Sequence, residues 1–468
     1  MNRYLVILCL WTMTTAAALA QQSNKSKSKD RYREKDQPAM AEVNDAIDRY
    51  GALRAVAEQE LRPVTFALSE VMLHDVASPP SASRYFAYAL LAGYETMARY
   101  QSRVSSLHEV LPGLPLMLSF VPADSVFYPF ASLWAILETG KQMMPSGYML
   151  AGKQRALEGL FREKGLSDAY IKHSKAAAND IVRLVLEYAG ADGFSRLTAY
   201  AQYRPAANDP AAWAPTPPDW MEAIDPRWNT LRPFLAESAR QFQPPPAAPY
   251  DPSPGSDFMG LVKEVYAVSN SLTAEQRAIA EFWDCNPFAV QHAGHMAIGI
   301  KKISPGGHWM NICGLVCEQQ KTPFGLALNV HTALALALAD AFISCWDEKY
   351  RSNRVRPVTV INRLIDPKWE PVLQTPPFPE YSSGHSTVSA AAAEVLTHFL
   401  GDNIAFLDNS EALYGIKPRQ FRSFRQAARE ASISRLYGGI HFRDALDQGL
   451  AAGGRLGTWV VSRWPKEQ

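Results

Sequence analysis

The sequence predicts an all-α protein built of helical bundles, with its chemistry in the C-terminal bundle. Three observations carry that expectation. Apolar residues recur at three- and four-residue steps between about Ala39 and Tyr200, as in Val43, Ile47, Tyr50 and Leu53 and again in Phe86, Leu90 and Tyr94, the period of one buried helix face. Strand-like alternation is scarce. The C-terminal half carries apolar helical stretches bounded by proline and glycine stops.

Taken in order, the chain opens with Arg3, an apolar run from Tyr4 to Trp11, and the small-x-small triplet Ala18-Leu19-Ala20. That pattern predicts a signal peptide over residues 1–20 and export to the periplasm or beyond, in preference to a buried helix or a membrane anchor. Residues 21–38 (QQSNKSKSKDRYREKDQP) have little to bury and predict a disordered tether. A helical region follows over 39–203. Proline-rich passages within 204–256 (RPAANDPAAWAPTPPDW and QPPPAAPYDPSPG) forbid continuous helix and predict extended covering segments or a linker. The remaining domain, 257–462, should contain a helix from about His331 to Arg354 that stops before Pro357. Others are expected from Gly384 to Gly401, from about Pro418 to Ile433, and from His441 to Gly449.

A length of 468 residues gives a prior of two or three structural units or one large core. The 47 Lys and Arg nearly cancel the 46 Asp and Glu, leaving a net charge of +1, so a broad basic face for nucleic acid is not expected. Mean hydropathy is −0.17, and past the leader no uninterrupted run of apolar residues is long enough to predict a transmembrane span. After leader cleavage Cys285, Cys313, Cys317 and Cys345 remain, enough for one or two disulfides in an oxidising compartment. Cys313 and Cys317 have the spacing of half a metal site, but no second pair completes it.

Three short blocks carry chemistry. In KYRSNRVRP, Lys349 and Arg356 stand seven residues apart, about two helical turns, and Pro357 follows. In YSSGHS, Ser383, Gly384 and His385 open a helix, whose first N–H groups and positive dipole end favour an anion. In SRLYGGIH, Ser434 and Arg435 precede His441. Singly, each has a plain structural alternative: a solvated basic helix end, an ordinary N-cap with a surface histidine, an ion pair of Arg435 and His441 with Asp444. Together, three cations, a helix start and two histidines describe a pocket for a tetrahedral oxyanion.

In order and internal spacing these blocks resemble K-x6-R-P, (P)SGH and S-R-x5-H, the signature shared by vanadium-dependent haloperoxidases and type-2 phosphatidic acid phosphatases. The stretch TPPFPEY from Thr375 to Tyr381 resembles the haloperoxidase form, as do Trp346 and Phe378, which stand where those enzymes place aromatic residues by the halide. Phe282–Pro287 (FWDCNP) and Pro305–Trp309 (PGGHW) look like segments of the soluble exported bacterial members. The resemblance covers roughly Trp213 to Trp459.

That resemblance implies a vanadate cofactor and no haem, flavin or NAD. His441 would ligate the metal, while Lys349, Arg356, Arg435, the Ser383 hydroxyl and the Gly384 N–H hold the oxyanion. His385 would serve as acid/base and Lys349 would polarise bound hydrogen peroxide. A halide then attacks to give hypohalous acid, with an organic acceptor beyond it, and vanadium stays in its highest oxidation state. The alternative is a soluble acid phosphatase, with His441 as phosphohistidine nucleophile and His385 as general acid. Two departures stand out. Ser382 replaces the family's proline before SGH, and Ala445 stands where the family often has an aspartate to orient the last histidine, leaving the partner of His441 open between a nearby acid and a backbone carbonyl. His292, His295, His308 and His331 read as hydrogen-bonded core residues, with His308 and His331 the two most in reach of the pocket. Surfaces of helical bundles this size often pair, so a homodimer is expected.

Overall fold

The computed structural model describes residues 36–465, except 207, 294, 295, 300 and 301. The expected signal peptide and all but the last three residues of the expected tether lie outside that range. Asp36, Gln37 and Pro38 belong to the first helix rather than to the tether.

Among the described residues there are thirteen α-helices: α1 Asp36–His74, α2 Pro79–Tyr100, α3 Tyr128–Met143, α4 Leu150–Glu163, α5 Asp168–Gly190, α6 Asp257–Asn270, α7 Ala274–Phe282, α8 Pro305–Gln320, α9 Phe324–Ser352, α10 Pro357–Leu364, α11 Gly384–Leu400, α12 Phe424–Tyr437 and α13 Arg443–Arg463. The only described strands form two antiparallel hairpins, β1 Val290–Ala293 with β2 Met296–Gly299, and β3 Phe406–Asp408 with β4 Arg419–Phe421. The predicted all-α class is the observed one.

The chain divides into a unit ending at Ala55 and a second, Val56–Gln468. The first contributes, among described residues, the opening turns of α1. The second takes in the rest of the helical stretch, the proline-rich segment and the C-terminal helices.

At the centre of the second unit lies α9. By length and composition it could cross a bilayer, yet its apolar window is 94% buried inside the protein, which makes it a core helix. It packs against α2 of an α2–α3–α5 group and, farther along, against α8, α11 and α13. The N-terminus of α9 lies seven residues earlier than expected, at Phe324, because Pro323 precedes it as N-cap and the apolar run starts there. Its C-terminus is the expected one to within two residues: Asn353 takes the left-handed conformation (φ 47°) as C-cap, with Pro357 just beyond.

Small residues press α11 against α13. A Cβ on Gly453 would stand 2.0 Å from the Thr387 carbonyl oxygen, and one on Gly457 2.6 Å from that of Ala391. The pairing fixes the start of α11, where Ser383 is the N-cap and accepts from the Ser386 N–H at 3.3 Å. Gly401 closes the helix as expected.

Two further boundaries differ. α12 starts at Phe424 rather than near Pro418, because 419–421 pairs as β4 and Ser423 caps the helix, accepting from Gln426 N–H. α13 runs on to Arg463 rather than stopping at Gly449, since the glycines there pack against α11 instead of ending the helix.

The proline-rich segment covers the C-terminal helices. Trp213 N–H donates to the Asn353 carbonyl (2.7 Å), Val355 N–H to Ala211 (2.9 Å), Ile224 N–H to Pro377 (3.0 Å), and the Tyr381 hydroxyl to Pro245 (2.5 Å). Extended chain, which proline favours, thus supplies backbone partners to two loops that carry the candidate residues.

Candidate active site

The three sequence blocks converge. Lys349 comes from the last turn of α9, Arg356 from the loop that caps α10, Ser383, Gly384 and His385 from the start of α11, Arg435 from the end of α12, and His441 from the loop before α13. Trp346, Phe378, Gly384, His385, Arg435 and His441 line one cavity, together with Cys285 and Phe342.

His441 is 3% exposed. Its Nδ1 lies 2.8 Å from Glu380 Oε1, and its Nε2 lies 3.2 Å from Arg356 Nη1. A carboxylate can only accept, so the ring proton sits on Nδ1, and Nε2 keeps its lone pair. Burial pushes the His441 pKa well below its ordinary value, and the positive fields of Arg356, Lys349 and Arg435 push it the same way. The ring is neutral, the form in which imidazole is a ligand or nucleophile.

The carboxylate of Glu380 accepts a second time on Oε1, from Phe442 N–H at 2.9 Å. Behind it, Arg354 Nη1 is 3.4 Å from Glu380 Oε2 and holds both oxygens of Asp444, at 2.9 and 2.8 Å. The orienting group for His441 is therefore Glu380, at the end of the TPPFPEY stretch, and not a residue of α13. Asp444 pairs with Arg354 rather than with Arg435 or His441, so that structural alternative is set aside. Ala445 contributes a carbonyl, which accepts from Ser383 N–H at 3.1 Å.

Arg356 is fully buried. Nε donates to the Phe378 carbonyl (2.9 Å) and Nη1 to Ile440 (2.8 Å), while Nη2 has no partner. Arg435 donates from Nη1 to the Trp283 carbonyl (2.8 Å) and its Nε is buried and unpartnered. His385 is anchored by the backbone of Trp283, leaving Nε2 buried without a partner. Burial and then the charge of Arg435 push its pKa well below the ordinary value, so Nε2 is an acceptor at neutral pH. Lys349 differs from expectation in its surroundings: its three N–H donors go to the carbonyls of Pro379 (3.0 Å), Glu380 (3.1 Å) and Ser382 (2.6 Å), and it does not line the cavity. Burial pushes its pKa down to about 7, against which the three carbonyls favour the ammonium.

Aromatic residues make the apolar wall. Trp346 and Phe378 stand 4.9 Å apart by ring centroids, with Phe342 5.4 Å from Trp346. The Lys349 ammonium and the Arg356 guanidinium each lie 5.1 Å from the Phe378 ring centre. A cavity with fixed positive charge on one side and polarisable rings on the other suits an oxyanion beside a soft anion.

Residues 329–466 match the family model described as the VCPO second helical-bundle domain. No curated protein sequence matches the chain. Among solved structures, a bacterial vanadium-dependent iodoperoxidase is similar at 41% identity, covering 87% of this chain and 97% of its own, with a TM-score of 0.82. The chain belongs to the vanadium-dependent haloperoxidase family. Apo- and holo-type bacterial vanadium-dependent chloroperoxidases, each 17% identical, share the fold at TM-scores of 0.62 and 0.59, covering 82% of this chain and 94% and 92% of theirs.

Of the residues singled out from sequence, Trp346, Phe378, Gly384, His385, Arg435 and His441 line the cavity, Arg356 touches His441, and Lys349 and Ser383 stand outside the lining. Glu380 carries no local sequence signal as the partner of His441, since it lies 61 residues before it. The four described cysteines are buried free thiols, so the expected disulfides do not form among the described residues. Instead Cys313 approaches His331 Nδ1 at 3.4 Å, and Cys285 approaches His308 Nδ1 at 3.3 Å. His331 and His308 are buried core residues, as expected; His292 lies in β1 and His295 outside the described residues.

Proposed function

We propose that this haloperoxidase holds vanadate in the cavity on His441 Nε2 and uses hydrogen peroxide to oxidise halide, iodide foremost, to hypohalous acid. The observation that carries the reading is the set of buried, unpartnered polar atoms on or next to the cavity: Arg356 Nη2, Arg435 Nε and His385 Nε2. Two guanidinium donors left without acceptors beside a neutral imidazole lone pair match a tetrahedral oxyanion that brings the missing acceptors.

Bound there, vanadate would supply a Lewis-acid centre that makes peroxide electrophilic without changing oxidation state. The protein's part is binding, orientation and proton transfer. Arg356 and Arg435 balance the oxyanion's charge, and Lys349 adds a third positive charge while tying the Pro379–Ser382 backbone in place. Glu380 fixes the His441 tautomer. Neutral His385 takes the proton of incoming peroxide on Nε2 and returns it to the departing water. Trp346 and Phe378 give the halide a dry, polarisable wall. Iodide is assigned because the similar structure at 41% identity is named an iodoperoxidase. Processing at Ala20 and release outside the cytoplasm complete the proposal, with the enzyme acting as a homodimer.

The test is a paired assay. Orthovanadate-loaded protein should oxidise iodide with hydrogen peroxide, with bromide slower and chloride slowest. Metal-free protein that instead cleaves p-nitrophenyl phosphate, with no halide oxidation after loading, would overturn the assignment.

A further inference from the structure

Behind the cavity wall lies a second group of ligand-type side chains that the halide reaction does not use. Cys285 comes from the loop after α7, His308 from the first turn of α8, and Glu411 from the segment after β3. Their donor atoms lie within 4.8 Å of one another, and all three residues are buried. His308 Nδ1 is 3.3 Å from Cys285 Sγ and 3.5 Å from Glu411 Oε1.

The other ring nitrogen, Nε2, is 2.8 Å from Asp408 Oδ2. The ring stacks on Trp283 at 4.7 Å. Nε2–H donates to Asp408, so an ion that displaces the Nδ1 proton would meet a lone pair aimed at the sulfur and the carboxylate. Metal-binding histidines are commonly held this way by a carboxylate on the far nitrogen. Glu411 Oε1 meanwhile is buried and has no hydrogen-bond donor.

We propose that Cys285, His308 and Glu411 bind a divalent cation of borderline softness, of the Zn2+ type, separate from vanadate. Bond lengths of about 2.0–2.3 Å at tetrahedral angles place neighbouring donors roughly 3.4–3.6 Å apart, which the two distances match. Sulfur, nitrogen and oxygen together select such an ion over hard Mg2+ or Ca2+. Thiolate and carboxylate neutralise its two charges. Around the group, Lys302 pairs with Asp284 at 2.5 Å, and His308, held by Asp408 on its far side, is the side chain that faces Glu411. Binding would displace the Cys285 thiol proton and the proton on His308 Nδ1. The ion would tie three segments distant in sequence at the back of the cavity, since Cys285 also lines it.

The experiment uses the full chain, stripped with a chelator and titrated with Co2+ and Zn2+ without vanadate. We expect about one Co2+ per chain with a thiolate-to-cobalt charge-transfer band, displaced by Zn2+. Cys285→Ala abolishes the band. Glu411→Gln, which keeps side-chain volume, keeps the band but weakens affinity at least about tenfold. The absence of a thiolate band overturns the proposal, as does unchanged Co2+ affinity in Glu411→Gln. A band that survives Cys285→Ala and disappears in Cys313→Ala also overturns it, placing the metal at the Cys313–Cys317–His331 group instead.

Discussion

His441 and Glu380 are joined by a 2.8 Å hydrogen bond between Nδ1 and Oε1, and the same carboxylate oxygen accepts from Phe442 N–H. One acid thus sets the tautomer of the ring and the backbone that carries it. Removing its charge while keeping its shape separates these roles. Glu380→Gln should leave the fold intact and lower vanadate affinity by about 10–100-fold, the range for a group that orients a metal-binding histidine. Equilibrium titration with orthovanadate checks this; unchanged affinity would assign the acid a purely structural role.

The two histidines differ in what their free nitrogens face. His441 Nε2 meets the Arg356 guanidinium, whereas His385 Nε2 meets the cavity alone. His441→Ala should therefore abolish vanadate binding. His385→Ala should bind vanadate within a few-fold of wild type and lose about 10²–10⁴ in kcat, the usual contribution of a general acid–base group. Equal vanadate affinity in wild type and His441→Ala would sink the ligand assignment.

Proton linkage gives a test on stability. The folded-state pKa of His385 is depressed by burial and by Arg435. Below about 6.5 the unfolded chain therefore binds a proton there that the folded chain does not, and stability is lost as pH falls. The contribution is fully present above 6.5 and declines by up to about 1.4 kcal/mol per pH unit until the folded pKa is reached. His308, raised by Asp408, works in the opposite sense, so the comparison needs a variant. Urea unfolding at pH 7.5 and 5.5 should show a smaller acid loss in His385→Gln than in wild type.

Much of this site was legible because its parts are local. Lys349 and Arg356 flank a helix end whose period and proline stop are both visible in sequence, and Ser383-Gly384-His385 is a helix start. Which donors remain free was not legible, since it depends on chain brought in from elsewhere: Lys349 spends its protons on carbonyls some thirty residues away. Glu380 was hidden for the same reason. The start of α12 does carry a local signal, Ser423 three residues before Gln426: the Ser423 hydroxyl accepts from Gln426 N–H at 3.1 Å, and Gln426 Oε1 accepts from Arg422 N–H at 2.7 Å.

The contact between α13 and α11 carries the last prediction. Alanine normally favours a helix over glycine by about 1 kcal/mol, so Gly453→Ala would stabilise an exposed helix. Here its Cβ would lie 2.0 Å from the Thr387 carbonyl oxygen. That oxygen is backbone within α11 and cannot swing aside, so the helices must part. Overpacking of this kind costs about 1–3 kcal/mol, which outweighs the propensity gain. Because Thr387 lies one turn beyond Ser383, the shift reaches the helix start that opens on the cavity. Gly453→Ala should lower the urea midpoint and weaken vanadate binding together, whereas Gly454→Ala, where a Cβ meets nothing within 4 Å, should raise stability and leave binding unchanged.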